Sequence, residues 1–153
     1  MKNKTNAVKT QAIDHDIAFK MGNNILDRWG CSTSEKQKIL GISDSSLFQS
    51  QNKLNLSLSD EQLVRISYLA NIHETLRLIF SNSDNVYMFM NATNNNSYFK
   101  GRSPLSILKT GSIDALHHVC RRLESLRNWS LQNQSSSARW LLLYNEQLKV
   151  FYN

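Results

Sequence analysis

Apolar residues recur at helical spacing along most of the chain, and short polar stretches divide that pattern into separate helices. Ile17, Met21, Ile25 and Trp29, flanked by Phe19 and Leu26, form a first apolar stripe, and Gly30 just beyond it suits a left-handed helix end. Ser32, Thr33 or Ser34 caps a second, short helix that carries Ile39 and Leu40 and stops at Gly41. Ser43 or Asp44 caps a third, with Leu47, Phe48 and Leu54. After residues 55–58, Ser59 and Gln62 have the spacing of a capping box and open the longest helix, whose expected buried face is Leu63, Ile66, Leu69, Ala70, His73, Leu76 and Phe80. A short apolar run at 86–90 precedes a loop of Asn and Thr at 91–96. Ser103 followed by Pro104 is the expected order at a helix start, and that helix ends at Gly111. Residues 113–127 form a final amphipathic helix, with Ala115, Leu116, Val119, Leu123 and Leu126 inward and Arg121, Arg122, Glu124 and Arg127 outward.

The pattern is all-α, and composition agrees with it. One Pro and five Gly in 153 residues leave long stretches free to be helical, and 41% hydrophobic with 20% charged residues describes a globular chain. Residues 1–16 are polar and read as a mobile arm, either a plain disordered terminus or a basic segment able to touch phosphates through Lys2, Lys4 and Lys9. Residues 128–137, rich in Asn, Gln and Ser, read as a linker to an apolar extension at 139–153 that forms either one amphipathic helix or a hairpin. No apolar run reaches the roughly 20 residues a bilayer span needs, so no membrane association is expected. Cys31 and Cys120 lie far apart with no metal or redox spacing, as expected for reduced thiols in the cytoplasm. The 18 Lys and Arg outnumber the 12 Asp and Glu, and a charge of +6 favours a polyanionic partner such as DNA.

Two short helices broken at Ile39-Leu40-Gly41-Ile42-Ser43 have the form of a helix-turn-helix, where Gly permits the positive φ of the tight turn. The exposed positions of its second helix would be Ser45, Ser46, Gln49, Ser50 and Lys53, small polar groups able to reach base edges or phosphates in a major groove. Only Lys53 among them is charged, so useful affinity for DNA would need dimerisation and further cations.

The sharpest local signal runs from Asn96 to Gly111, Asn-Ser-Tyr-Phe-Lys-Gly-Arg-Ser-Pro-Leu-Ser-Ile-Leu-Lys-Thr-Gly. It resembles the Asn-x-x-Phe-x-Gly-x-(Ser/Thr)-Pro-Leu pattern of the toxin-binding domain in antitoxins of the Xre/MbcA/ParS type. Upstream, Ile25-Leu26-Asp27-Arg28-Trp29-Gly30, the Leu40-Gly41-Ile42-Ser43 turn, and residues 58–69 and 72–76 are similar to that family's N-terminal half, so the likeness spans about residues 17–127. It departs where the family has Trp shortly before the Asn and Pro directly before it, since Met88-Phe89-Met90 stand near the first position and Asn95 precedes Asn96. The resemblance implies a helix-turn-helix half at 17–80 and a small helical toxin-binding domain at 81–127. Asn96, Phe99, Gly101, Arg102, Pro104 and Leu105 would bind the toxin. The implied partners are a RES-domain toxin that consumes NAD, a second copy of the chain, and operator DNA through which it would repress its own operon.

Enzyme chemistry finds no support in the residues. His117, His118 and Cys120 share one helix, but neighbours on a helix diverge by about 100°, which argues against a shared metal. His73 falls on a buried stripe and reads as a hydrogen-bonded core residue. There is no Gly-rich phosphate loop and no Gly-x-Ser-x-Gly, so neither catalytic residue, metal nor cofactor is expected. The competing readings are a helix-turn-helix transcriptional regulator with no toxin partner, and an interaction module that has lost DNA binding.

Overall fold

The structure, a computed structural model, describes residues 13–44, 56–80 and 82–132, with side chains through residue 128. These residues build helices α1 (His15–Arg28), α2 (Thr33–Leu40), α3 (Asp60–Ile79), α4 (Ser83–Asn91), α5 (Pro104–Leu108) and α6 (Ile113–Gln132). Among the described residues there is no strand, and an isolated antiparallel bridge joins Asn94 to Arg102. Short polar side chains start the helices by accepting from backbone N–H groups that have no partner within the first turn. Ser32 with Glu35 and Ser59 with Gln62 form reciprocal capping boxes, Asn82 caps α4, and Ser103 caps α5 with Pro104 at its first turn.

The first helix begins earlier than its apolar pattern suggests. Asp14 accepts from the Ile17 amide at 3.1 Å, and His15 Nδ1 accepts from the Leu58 amide at 2.8 Å. Asp14, His15 and Asp16 therefore belong to the fold and not to an arm. The buried face of α1 is Phe19, Gly22, Ile25 and Leu26, continuing into Trp29, whereas Ile17 and Met21 are 65% and 42% exposed. Two apolar rows run along this helix, and the row that includes Gly22 lets α1 approach Ile66 and Leu40 closely, leaving the Ile17–Met21 row outside.

Helix α3 is the centre of the molecule, packed most extensively against α6 and α1. Because both sides are covered, its interior residues include Arg65, Ile72 and Thr75 beyond the single expected stripe, while Leu63, Ala70, His73 and Phe80 are only partly buried. Val86 and Met90 are buried on α4, a helix where sequence marked only an apolar run. Helix α6 runs on through residues 128–132, expected as linker, because nothing in that stretch breaks a helix. One core unites both halves: Trp29, Leu69 and Leu76 from the first share a cluster with Phe99, Leu108 and Leu116 from the second. The apolar extension at 139–153 and most of the N-terminal arm lie outside the described residues.

Candidate functional site

The turn after α2 is held by side chains from α3. A helix ends with carbonyls that have no intrahelical donor, and in a packed molecule each needs another partner. Gly41 takes a left-handed conformation (φ 65°), returning its N–H to the Gln37 carbonyl, which also accepts from Ile42 at 3.0 Å. Arg65 Nη1 donates to Ile39 O at 3.0 Å, and Gln62 Nε2 donates to Gly41 O at 2.7 Å. Arg65 is only 8% exposed, and Glu61 one turn earlier accepts from its Nε and Nη2 at 3.0 and 2.8 Å. A side chain at position 41 would meet Arg65 Nε at 3.1 Å, so the glycine admits both the backbone conformation and the arginine. Across the turn, the Gln37 amide donates to the Asp44 carboxylate. Lys36 ties α2 to Asp27 of α1 at 2.6 Å. Ser45, Ser46, Gln49, Ser50 and Lys53 lie outside the described residues.

The same arginine reaches the second half. Arg65 Nη1 also donates to Gly111 O at 2.8 Å, at the corner between α5 and α6. Gly111 (φ 77°) sits so close to α2 that an added Cβ would stand 2.9 Å from Lys38 O. Lys109 pairs with Glu35 at 2.9 Å beside this contact, and the Ser32 amide together with Lys109 holds the Glu35 carboxyl below its ordinary range. The sequence reading gave Arg65 no role and placed Gln62 in the capping box without its bond to Gly41 O. The available signal was Glu61 and Arg65 at one-turn spacing on that helix.

Residues 92–103 form a loop that ties itself. Asn96 Oδ1 accepts from the Tyr98 and Phe99 amides at 3.0 and 2.9 Å, and Asn94 Oδ1 accepts from the Asn96 amide at 3.0 Å. Backbone bonds from Lys100 to Asn96, Gly101 to Asn94 and Asn94 to Arg102 close the loop, with Lys100 and Gly101 both at positive φ. Arg102 Nε donates back to Phe99 O at 3.3 Å. Phe99 is fully buried, with Tyr98 edge-on to it at 4.9 Å. Burial raises the Tyr98 hydroxyl above its ordinary pKa, against the opposing charge of Arg102.

All six residues of the proposed toxin contact thus share one loop and helix start, but they divide by role. Phe99, Pro104 and Leu105 are core, Asn96 is half-buried and shapes the loop, and only Gly101 and Arg102 are exposed. Asn95, Ser97 and Lys100 share that exposed rim.

Burial pushes both the Cys31 and Cys120 thiols up to about 11, which keeps them protonated and unreactive. His117 and His118 rings stand 5.5 Å apart, His117 also facing Tyr68 at 5.7 Å. No group of three or more His, Cys, Asp and Glu among the described residues could hold a metal. His73 lies 6.1 Å from the Trp29 ring, and its Nδ1 is buried without the hydrogen bond expected of a core histidine. Desolvation, reinforced by Arg28 and Arg77, lowers its pKa below 6.5. No helix of the described residues is long and apolar enough to cross a membrane.

Comparison with known proteins finds two likenesses. Over 103 residues the chain is 26% identical to the uncharacterized protein y4oB of Sinorhizobium fredii, an alignment covering 67% of this chain and 78% of that protein. Residues 11–71, which span α1, α2, the Gly41 turn and the first part of α3, match the family model of the antitoxin Xre-like helix-turn-helix domain. The chain is an all-α protein with a helix-turn-helix domain at its N-terminus, and that domain is similar to those of Xre-type antitoxins.

Proposed function

We propose that this protein is the antitoxin of a toxin–antitoxin pair, a cytoplasmic non-enzyme without cofactor that neutralises a RES-type, NAD-consuming toxin and, as a homodimer, represses its own operon. The observation that carries the proposal is the match of residues 11–71 to an antitoxin helix-turn-helix domain. The RES pairing rests on the likeness of residues 96–111 to the toxin-binding pattern of Xre/MbcA/ParS-type antitoxins. The geometry of the loop supports it. A loop pre-shaped by its own Asn side chains loses little entropy on docking, and it offers Lys100 and Arg102 at an exposed rim to a pocket built for an anionic dinucleotide. In this reading Phe99, Pro104 and Leu105 act by holding the loop's shape, and Arg102 makes contact. DNA binding is assigned to Gln49 and Lys53 with Ser45, Ser46 and Ser50 around them.

The test is co-expression with the toxin encoded beside this gene. The full chain should restore growth and NAD levels, and Lys100→Glu with Arg102→Glu should lose that rescue while still shifting operator DNA. Gln49→Ala with Lys53→Ala should do the reverse. A chain that shifts operator DNA but rescues no neighbouring toxin would instead be a transcriptional regulator, and one that rescues growth without shifting DNA would be an interaction module.

A further inference from the structure

The outer row of α1 is apolar, exposed and bordered by a trough. Ile17 and Met21 stand one turn apart on α1, 65% and 42% exposed, and Ile13, just before the Asp14 cap, is 62% exposed. Between α1 and α3 runs an open trough of about 630 Å³, lined by Ile17 and Met21 themselves together with Ile25, Ala70 and His73. A ridge of residues four apart is the element that seats into the groove of a neighbouring helix in the commonest helix-packing class. Here the ridge residues Ile17 and Met21 also form one wall of the groove.

We infer that this surface is where two copies of the chain meet, the Ile17–Met21 ridge of each seated in the trough of the other. The occupant follows from the charges on the rim. Lys20 and Arg28 stand on the α1 side, and Glu74 stands on the α3 side. A two-fold axis brings the same patch against itself, so a stable contact needs both signs on one patch, arranged to cross over. This rim has that arrangement: the basic α1 edge of one copy faces the acidic α3 edge of the next, twice. A partner of one charge sign would satisfy only one edge. None of the residues lining the trough belongs to the 92–103 loop, so pairing here uses none of the proposed toxin contact. The inference deepens the dimeric reading and rests on it for the presence of a second copy.

Sedimentation of the full chain, without DNA or toxin, tests it. The unaltered protein should be dimeric at micromolar concentration. Ile17→Lys with Met21→Lys should weaken self-association by about 100-fold or more, with an unchanged helical circular dichroism spectrum because both sites are exposed. Charge exchange then identifies the occupant. Lys20→Glu with Arg28→Glu in one chain, and Glu74→Lys in another, should each dimerise poorly alone and pair when mixed. A monomeric unaltered chain overturns both this surface and the dimeric reading. A dimer that ignores the Ile17 and Met21 changes overturns the surface and leaves the dimeric reading standing. Cross-links from Met21→Cys that reach residues 138–153 of the same chain, and not position 21 of a second one, overturn the second copy as occupant.

Discussion

The turn after α2 and the loop at 92–103 are both irregular segments rich in backbone groups that need partners, and they meet that need in opposite ways. The carbonyls of the turn are satisfied from outside, by Arg65 and Gln62 on the central helix. The loop is satisfied from within, by Asn94 and Asn96 of the loop itself. A segment held from outside transmits change: whatever moves α3 moves the helix-turn-helix, and because Arg65 also grips Gly111, the corner before α6 moves with it. A segment held from within confines change to itself. A loop that keeps its shape independently suits a contact surface, whereas a turn shared among three elements suits a protein whose two halves must stay in register.

The largest effect that could break this comparison comes from Arg65→Ala. It leaves the Ile39 and Gly111 carbonyls without the Arg65 donor, which costs about 1–3 kcal/mol for each carbonyl, while Glu61, its side chain 62% exposed, adds little. Urea unfolding should show that loss. A cost below about 1 kcal/mol, the ordinary worth of an exposed pair, would mean that the turn does not depend on α3. Gly111→Ala comes next: a left-handed backbone and a Cβ 2.9 Å from the Lys38 carbonyl should cost about 2–4 kcal/mol. Thermal melting should register it as one cooperative transition, since the two halves share a core.

Asn96→Ala should cost less, about 1–2 kcal/mol for the lost side-chain acceptor, and should do so locally. Amide exchange should quicken at Tyr98 and Phe99, with the Ile42 amide of the turn unaffected. Faster exchange at Ile42 would erase the contrast between the two regions. The smallest expected effect belongs to His73, on α3 but bound to neither region. Its folded pKa lies below the ordinary value of 6.5, so the unfolded chain takes up the proton first as pH falls. The stability it contributes is complete above pH 6.5 and declines as pH drops through the folded pKa. His73→Gln should flatten that part of the stability profile, measured by urea titration between pH 7.5 and 5.

How much of this was legible beforehand depends on the range of the interaction involved. The Ser32 and Ser59 caps, the stop at Gly41 and the Ser103-Pro104 start are set by residues within one helical turn, and the structure places them where the sequence does, whereas α5 closes at Leu108, ahead of the expected stop at Gly111. The Asn96 tie is equally local. Arg65 was not legible, because an arginine spanning to Ile39 and to Gly111 is defined by 26 and 46 residues of separation. The faces of α1 misled for a related reason: the helix carries two apolar rows, and periodicity identifies rows without saying which one the neighbouring helix covers.

The sequence by itself determined the all-α class, the Ser32, Ser59 and Ser103 helix starts and the glycine turn at Gly41, since each follows from a few adjacent residues and their hydrogen-bonding needs. Only the tertiary structure decided that the two halves share one core, that Phe99, Pro104 and Leu105 face inward while Arg102 faces out, and that the Ile17–Met21 row is left bare. The physical reason is that burial belongs to pairs of surfaces. A side chain's chemistry says that it can be buried, and only the arrival of α3 against Gly22, of α6 against α3, and of α5 against α4 and α6, settles which ones are.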